Sequence, residues 1–229
     1  MTRSDPAPTP RLMRTILGLL AKEYGKLPAR RHGLALDLLI RTILSQNTND
    51  RNRDRAYENL KKHFKSWAEV AEAGPAQISS AIRVAGLSKI KAGCIRDALR
   101  RIRAERGPYS LEFLKDMPVE EGMAYLTRMP GVGVKTAAVV LLFSFGKPAF
   151  PVDTHIYRVT RRLGLAPVKY DREKTQALLQ SVAPPDIMYA LHLRLIELGR
   201  RTCHPRRPEH EGCPLRKLCP SAERIQPPV

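Results

Sequence analysis

The chain has 229 residues, 43% hydrophobic and 27% charged, which excludes a disordered protein and suits one large domain or two small ones. Forty Lys and Arg against 22 Asp and Glu leave a net charge of +18 and an isoelectric point near 10.2. Self-repulsion on that scale is commonly offset by a polyanion, and nucleic acid is the foremost candidate. No apolar run reaches the ~20 residues of a membrane span; the longest, Ala137 to Phe143, stops at Ser144. Met1 to Pro10 holds three prolines and no apolar leader, so a cytoplasmic protein, nucleoid-associated in a prokaryote, is expected.

Helical spacing runs along the whole chain. Leu12, Ile16, Leu19 and Leu20 form a first apolar stripe, and Leu36, Leu39, Ile40 and Ile43 a second. Ala56, Leu60 and Phe64 step by four through a charged helix that begins near Asn49. Ile90, Cys94, Ile95, Leu99 and Ile102 mark a longer one, stopped by Gly107-Pro108. Val134 to Phe145 is apolar nearly all round and reads as a helix in the middle of a domain. Gly146-Lys147-Pro148 ends it. Ile156, Val159 and Leu163 carry a further helix, and Asp186 to Leu198 the last. No segment alternates like a strand. The expected fold is all-α, with about eleven short helices.

Between two of these helices lies Met129-Pro130-Gly131-Val132-Gly133-Val134-Lys135-Thr136. Two glycines one residue apart allow a tight turn and close approach of another backbone. Backbone N–H groups there, joined by those of the next helix, suit a phosphate oxygen, although the same turn could be a plain helical corner. Lys135 falls in the first turn of the following helix, where the dipole disfavours a cation by roughly 0.3–1 kcal/mol. Phosphate contact would explain it; so would chemistry. At its ordinary pKa of about 10.4 only about 0.04% of a lysine amine is neutral at pH 7, and burial or a helix N-terminus raises that fraction. Asp153, in Pro151-Val152-Asp153-Thr154-His155, reads as either a helix N-cap or a catalytic carboxylate.

Three of the four cysteines, Cys203, Cys213 and Cys219, crowd into the last 27 residues, which points to metal rather than disulfides. With His210 they form an ordinary structural zinc set. Cys94, Tyr57 and Trp67 read as packing residues. Arg158, Arg161 and Arg162 lie opposite the Ile156 stripe, as a solvated face or as phosphate contacts.

Pro130-Gly131-Val132-Gly133-Val134-Lys135-Thr136, followed eighteen residues after the lysine by Asp153, closely resembles the endonuclease III family of base-excision DNA glycosylases. The resemblance extends through Ser45-Gln46-Asn47-Thr48, Gly86-Leu87-Ser88-Lys89 and Glu197-Leu198-Gly199-Arg200, and spans roughly Leu34 to Cys219. It implies a two-lobed helix–hairpin–helix fold, one lobe at 28–147 and the other joining 1–27 to 148–229, with a DNA cleft flanked by Lys135 and Asp153. By the same resemblance Lys135 attacks the sugar C1′ and forms a Schiff base, and Asp153 activates it. Asn47 fills the gap left by the flipped base, and Leu87 wedges beside it. Gln46, Gly131, Val132, Gly133, His155 and Arg158 are expected DNA contacts.

The implied function is removal of oxidised pyrimidines from duplex DNA by a monomeric glycosylase with AP lyase activity. The adenine-removing relatives carry a catalytic Glu where Thr42 aligns and lack the lysine. A monofunctional mismatch glycosylase and a non-catalytic damage-binding protein are the alternatives. The family holds a 4Fe-4S cluster on C-x6-C-x2-C-x5-C; here the second position is His210, so Cys203, His210, Cys213 and Cys219 are the expected ligands, with zinc as the alternative metal.

Overall fold

A computed structural model describes residues 8–27 and 33–224. Among these residues there are twelve α-helices, a few 3-10 turns and no strand, in agreement with an all-α chain. In order they are α1 (Pro10–Tyr24), α2 (Ala35–Leu44), α3 (Asp50–His63), α4 (Trp67–Glu72), α5 (Pro75–Ala81) and α6 (Ser88–Arg106). Then come α7 (Val119–Thr127), α8 (Val134–Phe145), α9 (Thr154–Arg162), α10 (Arg172–Val182), α11 (Met188–Arg201) and α12 (Pro220–Arg224). The chain divides into two compact units, Arg31–Lys147 and Met1–Arg30 joined with Pro148–Val229. The expected lobe junction at 27/28 falls at the edge of the described chain, residue 28 lying outside it.

Side-chain caps start several helices. Asn49, Ser66, Asp153 and Asp171 each accept a backbone N–H three residues on, at 2.8 to 3.2 Å; a cap of this kind contributes ~1 kcal/mol. Pro10 and Pro75 occupy first helical positions, where the missing N–H costs nothing. Gly107 stops α6 in a left-handed conformation.

In the unit Arg31–Lys147, α8 runs through the middle. It packs on α2 and α7 and buries Ala137, Ala138, Val140, Leu141 and Leu142. Gly122 of α7 makes this pairing close, since a Cβ there would lie 3.1 Å from a Leu141 methyl. Tyr57 and Trp67 meet with their rings tilted at 56°, with Arg41 over the tyrosine ring and Lys61 over the tryptophan, and so serve packing. One stripe differs from its expected reading. Ile90 is 65% exposed, and the buried residue of that turn of α6 is Lys91, at 2%.

In the other unit, α11 is the hub and packs on both α1 and α9. The buried stripe of α1 is Met13, Ile16 and Leu20, whereas Leu19, expected inside, is 36% exposed. Each such burial stabilises by roughly 1.5–3 kcal/mol. Gly199 of α11 lets α9 come close, because a Cβ there would meet His155 Cβ at 2.8 Å. The last long helix starts at Met188 rather than Asp186, which lies in a preceding 3-10 turn, Pro185–Ile187, and pairs with Arg14.

Candidate active site and nucleic-acid interface

The helical hairpin is α7, the turn 128–133, and α8. Its two glycines are not equivalent. Gly131 has φ 75°, and a Cβ on it would lie 2.6 Å from Cys94 Sγ, so the fold itself requires glycine there. Gly133 has an ordinary φ of −84° and caps α8, with nothing within 4 Å of where a Cβ would stand. Among the described residues no neighbour needs that space; an approaching backbone or phosphate could use it. Val132, expected among the DNA contacts, turns inward at 4% exposure, and its N–H donates to Met129 O at 3.1 Å. It has neither side chain nor N–H to offer outward.

Lys135 is the second residue of α8 and is half-buried. Thr42, at the position where a mismatch-type relative would place a carboxylate, is buried in α2 with its hydroxyl donating to Leu38 O at 2.7 Å.

Two further loops of this unit carry left-handed residues. Asn47 has φ 52° and Leu87 has φ 49°; both side chains are exposed, Leu87 to 53%. Asparagine tolerates this region, while a leucine pays about 1–2 kcal/mol for it. Gln46 Nε2 donates to Gly131 O at 2.8 Å, fastening the Asn47 loop to the hairpin turn. Lys91 Nζ donates to Leu44 O and to Ala85 O, both at 2.8 Å, and burial pushes its ammonium below the ordinary lysine range.

In the other unit Asp153 caps α9, its Oδ1 accepting Ile156 N–H at 2.8 Å. Both earlier readings are compatible, because a carboxylate has two oxygens. The extended segment leading to it is held from α10 and α11. Gln180 Oε1 accepts Phe150 N–H at 2.5 Å, Gln176 Oε1 accepts Val152 N–H at 3.3 Å, and His192 Nδ1 donates to Pro151 O at 3.0 Å. Gln176 and His192 are buried polar residues on otherwise apolar faces, the one signal that could have revealed them.

The cysteine tail is organised by arginines expected on a solvent or phosphate face. Arg158 donates to Cys203 O at 2.8 Å and Gly199 O at 2.7 Å, and its Nη2 lies 3.2 Å from His155 Nδ1. Arg162 donates to Cys203 Sγ, His204 O and Pro205 O at 3.2, 2.6 and 2.8 Å. Arg158 and Arg162 thus satisfy carbonyls of their own chain.

Cys203, His210, Cys213 and Cys219 line one pocket with Leu163 and Leu198. Burial pushes the Cys213 and Cys219 thiols up, and negative charge on neighbouring cysteines adds to it, so thiolates here call for a cationic group. Among the described residues no three His, Cys, Asp or Glu side chains come close enough to hold one metal ion. His204 is turned to Glu209 Oε1, at 3.4 Å, and is not part of the lining.

Residues 40–185 match the family described as HhH-GPD superfamily base excision DNA repair protein. A protein of Arabidopsis thaliana named as a DNA glycosylase is 39% identical over 165 residues, 72% of this chain; the match spans only 56% of that protein's length. Endonuclease III of Thermotoga maritima is 33% identical over 202 residues, 87% of this chain and 90% of the relative. A solved structure of a trapped endonuclease III–DNA covalent intermediate is similar with a TM-score of 0.78 at 27% identity, covering 94% of this chain and 98% of the other. Among the described residues no helix is long and apolar enough to cross a membrane.

Proposed function

Because the chain belongs to the HhH-GPD superfamily of base excision DNA repair proteins, and is of the endonuclease III type, we propose that it removes oxidised pyrimidines from duplex DNA and cuts the resulting abasic site. The observation that carries the lyase half is Lys135, placed two residues after the open glycine of the hairpin, at a helix end that disfavours a cation.

In this reading the Lys135 amine attacks C1′ of a flipped nucleotide. The N–C1′ bond forms, the glycosidic bond breaks, and the base leaves with a proton. Opening of the sugar gives a protonated Schiff base. Loss of a C2′ proton then expels the 3′ phosphate, and water releases the enzyme. Asp153 takes the proton from the attacking amine and stabilises positive charge on the sugar. Gly133 and the N-terminus of α8 receive a backbone phosphate. Asn47 and Leu87 occupy the duplex when the nucleotide leaves the stack, as access to C1′ requires. Arg158 and His155 act on the tail and the start of α9 rather than on DNA. The protein acts as a monomer, wherever chromosomal DNA is kept.

A duplex with one oxidised pyrimidine, incubated with the protein and then reduced with borohydride, tests this. Base release, strand scission and a covalent adduct are expected. Release of adenine or thymine from a mispair without an adduct would support a monofunctional enzyme instead. Tight binding without release would leave a damage-binding protein.

The tail pocket is assigned to a 4Fe-4S cluster on Cys203, His210, Cys213 and Cys219. Three cysteines and a histidine lining one pocket are a donor set that such a cluster accepts, and tetrahedral zinc is the competing occupant. When bound, the cluster supplies a structural cross-link for a tail too small to have its own core. Purified protein should contain close to four irons per chain; stoichiometric zinc without iron would refute the assignment. His210→Cys should keep iron and lower the reduction potential, since a thiolate adds negative charge. His210→Ala should give faster iron loss in acid. If neither variant changes iron content, potential or acid lability, His210 is not a ligand.

A further inference from the structure

Asn47 and Leu87 stand forty positions apart in sequence, yet their loops are fastened to one buried amine. Leu44, one acceptor of Lys91, is the last residue of α2, and Asn47 follows it by three. Ala85, the other acceptor, ends the 3-10 turn Arg83–Ala85, and Leu87 follows it by two. Carbonyls at helix ends lack intrahelical donors and carry the negative end of the dipole. An ammonium answers both needs at two helix ends at once, with donors to spare.

The same helix reaches the hairpin. Cys94, three residues after Lys91, lies against Gly131, whose carbonyl in turn accepts Gln46. The Asn47 loop, the Leu87 loop and the hairpin turn are therefore tied together through the first two turns of α6. Leu87 is half-exposed, so burial of its own side chain does not explain its left-handed backbone. Lys91 bonds on both sides of it, its N–H donating to Leu87 O at 3.0 Å and its ammonium to Ala85 O at 2.8 Å.

We propose that Lys91 is a positioning residue for base eversion, its ammonium joining the Asn47 and Leu87 loops into one preformed probe. This rests on the reading that those two side chains enter the duplex. Two loops ordered separately would each lose conformational freedom on meeting DNA; two loops ordered in advance do not. The effect is expected in the step before the chemistry at Lys135.

The test compares one oxidised pyrimidine in two settings, fully paired and opposite a one-nucleotide gap where unstacking is easy. Lys91→Met keeps the buried stem and removes the donors. It should lower single-turnover excision from the paired duplex by at least ~30-fold, and from the gapped one, or cleavage of a preformed abasic site, by less than ~3-fold. A residue that only supports the fold would lower all three alike. In a Leu87→Ala background Lys91→Met should add little, because the element it positions is already gone. If the methionine variant does not fold, Lys91→Gln is measured by the same ratio. Should wild-type protein excise from neither DNA, the site reading fails and this inference falls with it. Should wild type excise from both and the ratio stay unmoved in the variant, the site reading stands and the role of Lys91 is refuted.

Discussion

Lys135→Ala removes borohydride trapping and strand scission entirely while the fold holds. Alanine is the best helix former, and the substitution takes a cation away from the positive end of α8. These two effects offset the loss of its contacts within the protein, so stability should remain within about 1 kcal/mol of wild type. Affinity for a duplex should change only several-fold, because one contact is a small part of an interface for a chain of net charge +18. Activity behaves differently. No other amine stands two residues into the hairpin's second helix, and without a nucleophile no Schiff base forms. Melting curves, duplex titrations and trapping gels read the three quantities separately. Strand scission at the wild-type rate by the alanine variant would sink the assignment.

The second large effect is at Asp153, where cap and catalyst make opposite forecasts. Asparagine caps a helix about as well as aspartate, so Asp153→Asn should keep the bond to Ile156 N–H and cost little stability. As a cap alone, Asp153 would tolerate this change with near-normal turnover. As the carboxylate that receives the amine proton and faces a developing cation, it would not. Base removal should then fall by at least ~10²-fold, which corresponds to about 2.7 kcal/mol in the barrier. Single-turnover base release, measured beside thermal unfolding, separates the two forecasts.

The sequence made the hairpin, Lys135 and the cysteine pattern visible because each is local, a few residues whose spacing has one physical meaning. What it hid depends on distant partners. Lys91 sits in Ser88-Lys89-Ile90-Lys91, where either lysine could face water and Ile90 looks like the core residue. Two carbonyls, Ala85 and Leu44, the second arriving from 47 positions away, hold the buried Lys91 while Ile90 stays outside. The inequality of Gly131 and Gly133 is hidden for the same reason, since it is set by Cys94 on another helix. Arg158 and Arg162 looked like a solvated row because periodicity shows which face a residue is on but not what folds over that face. In α1 the buried stripe is Met13, Ile16 and Leu20, rotated so that Met13 is inside while Leu12 is only half-buried and Leu19 is exposed.

One consequence concerns synthesis. The unit Arg31–Lys147 is continuous and can collapse while the ribosome is still adding chain, whereas the other unit draws α1 and α11 from opposite ends. At elongation rates of about 5–20 residues per second, α1 waits roughly ten to thirty seconds for the helix that covers Met13, Ile16 and Leu20. During that interval its apolar stripe is open to chaperones and to wrong partners. Because Tyr24 at its end bonds Thr202, next to Cys203, the tail gains this support only when α1 finally docks.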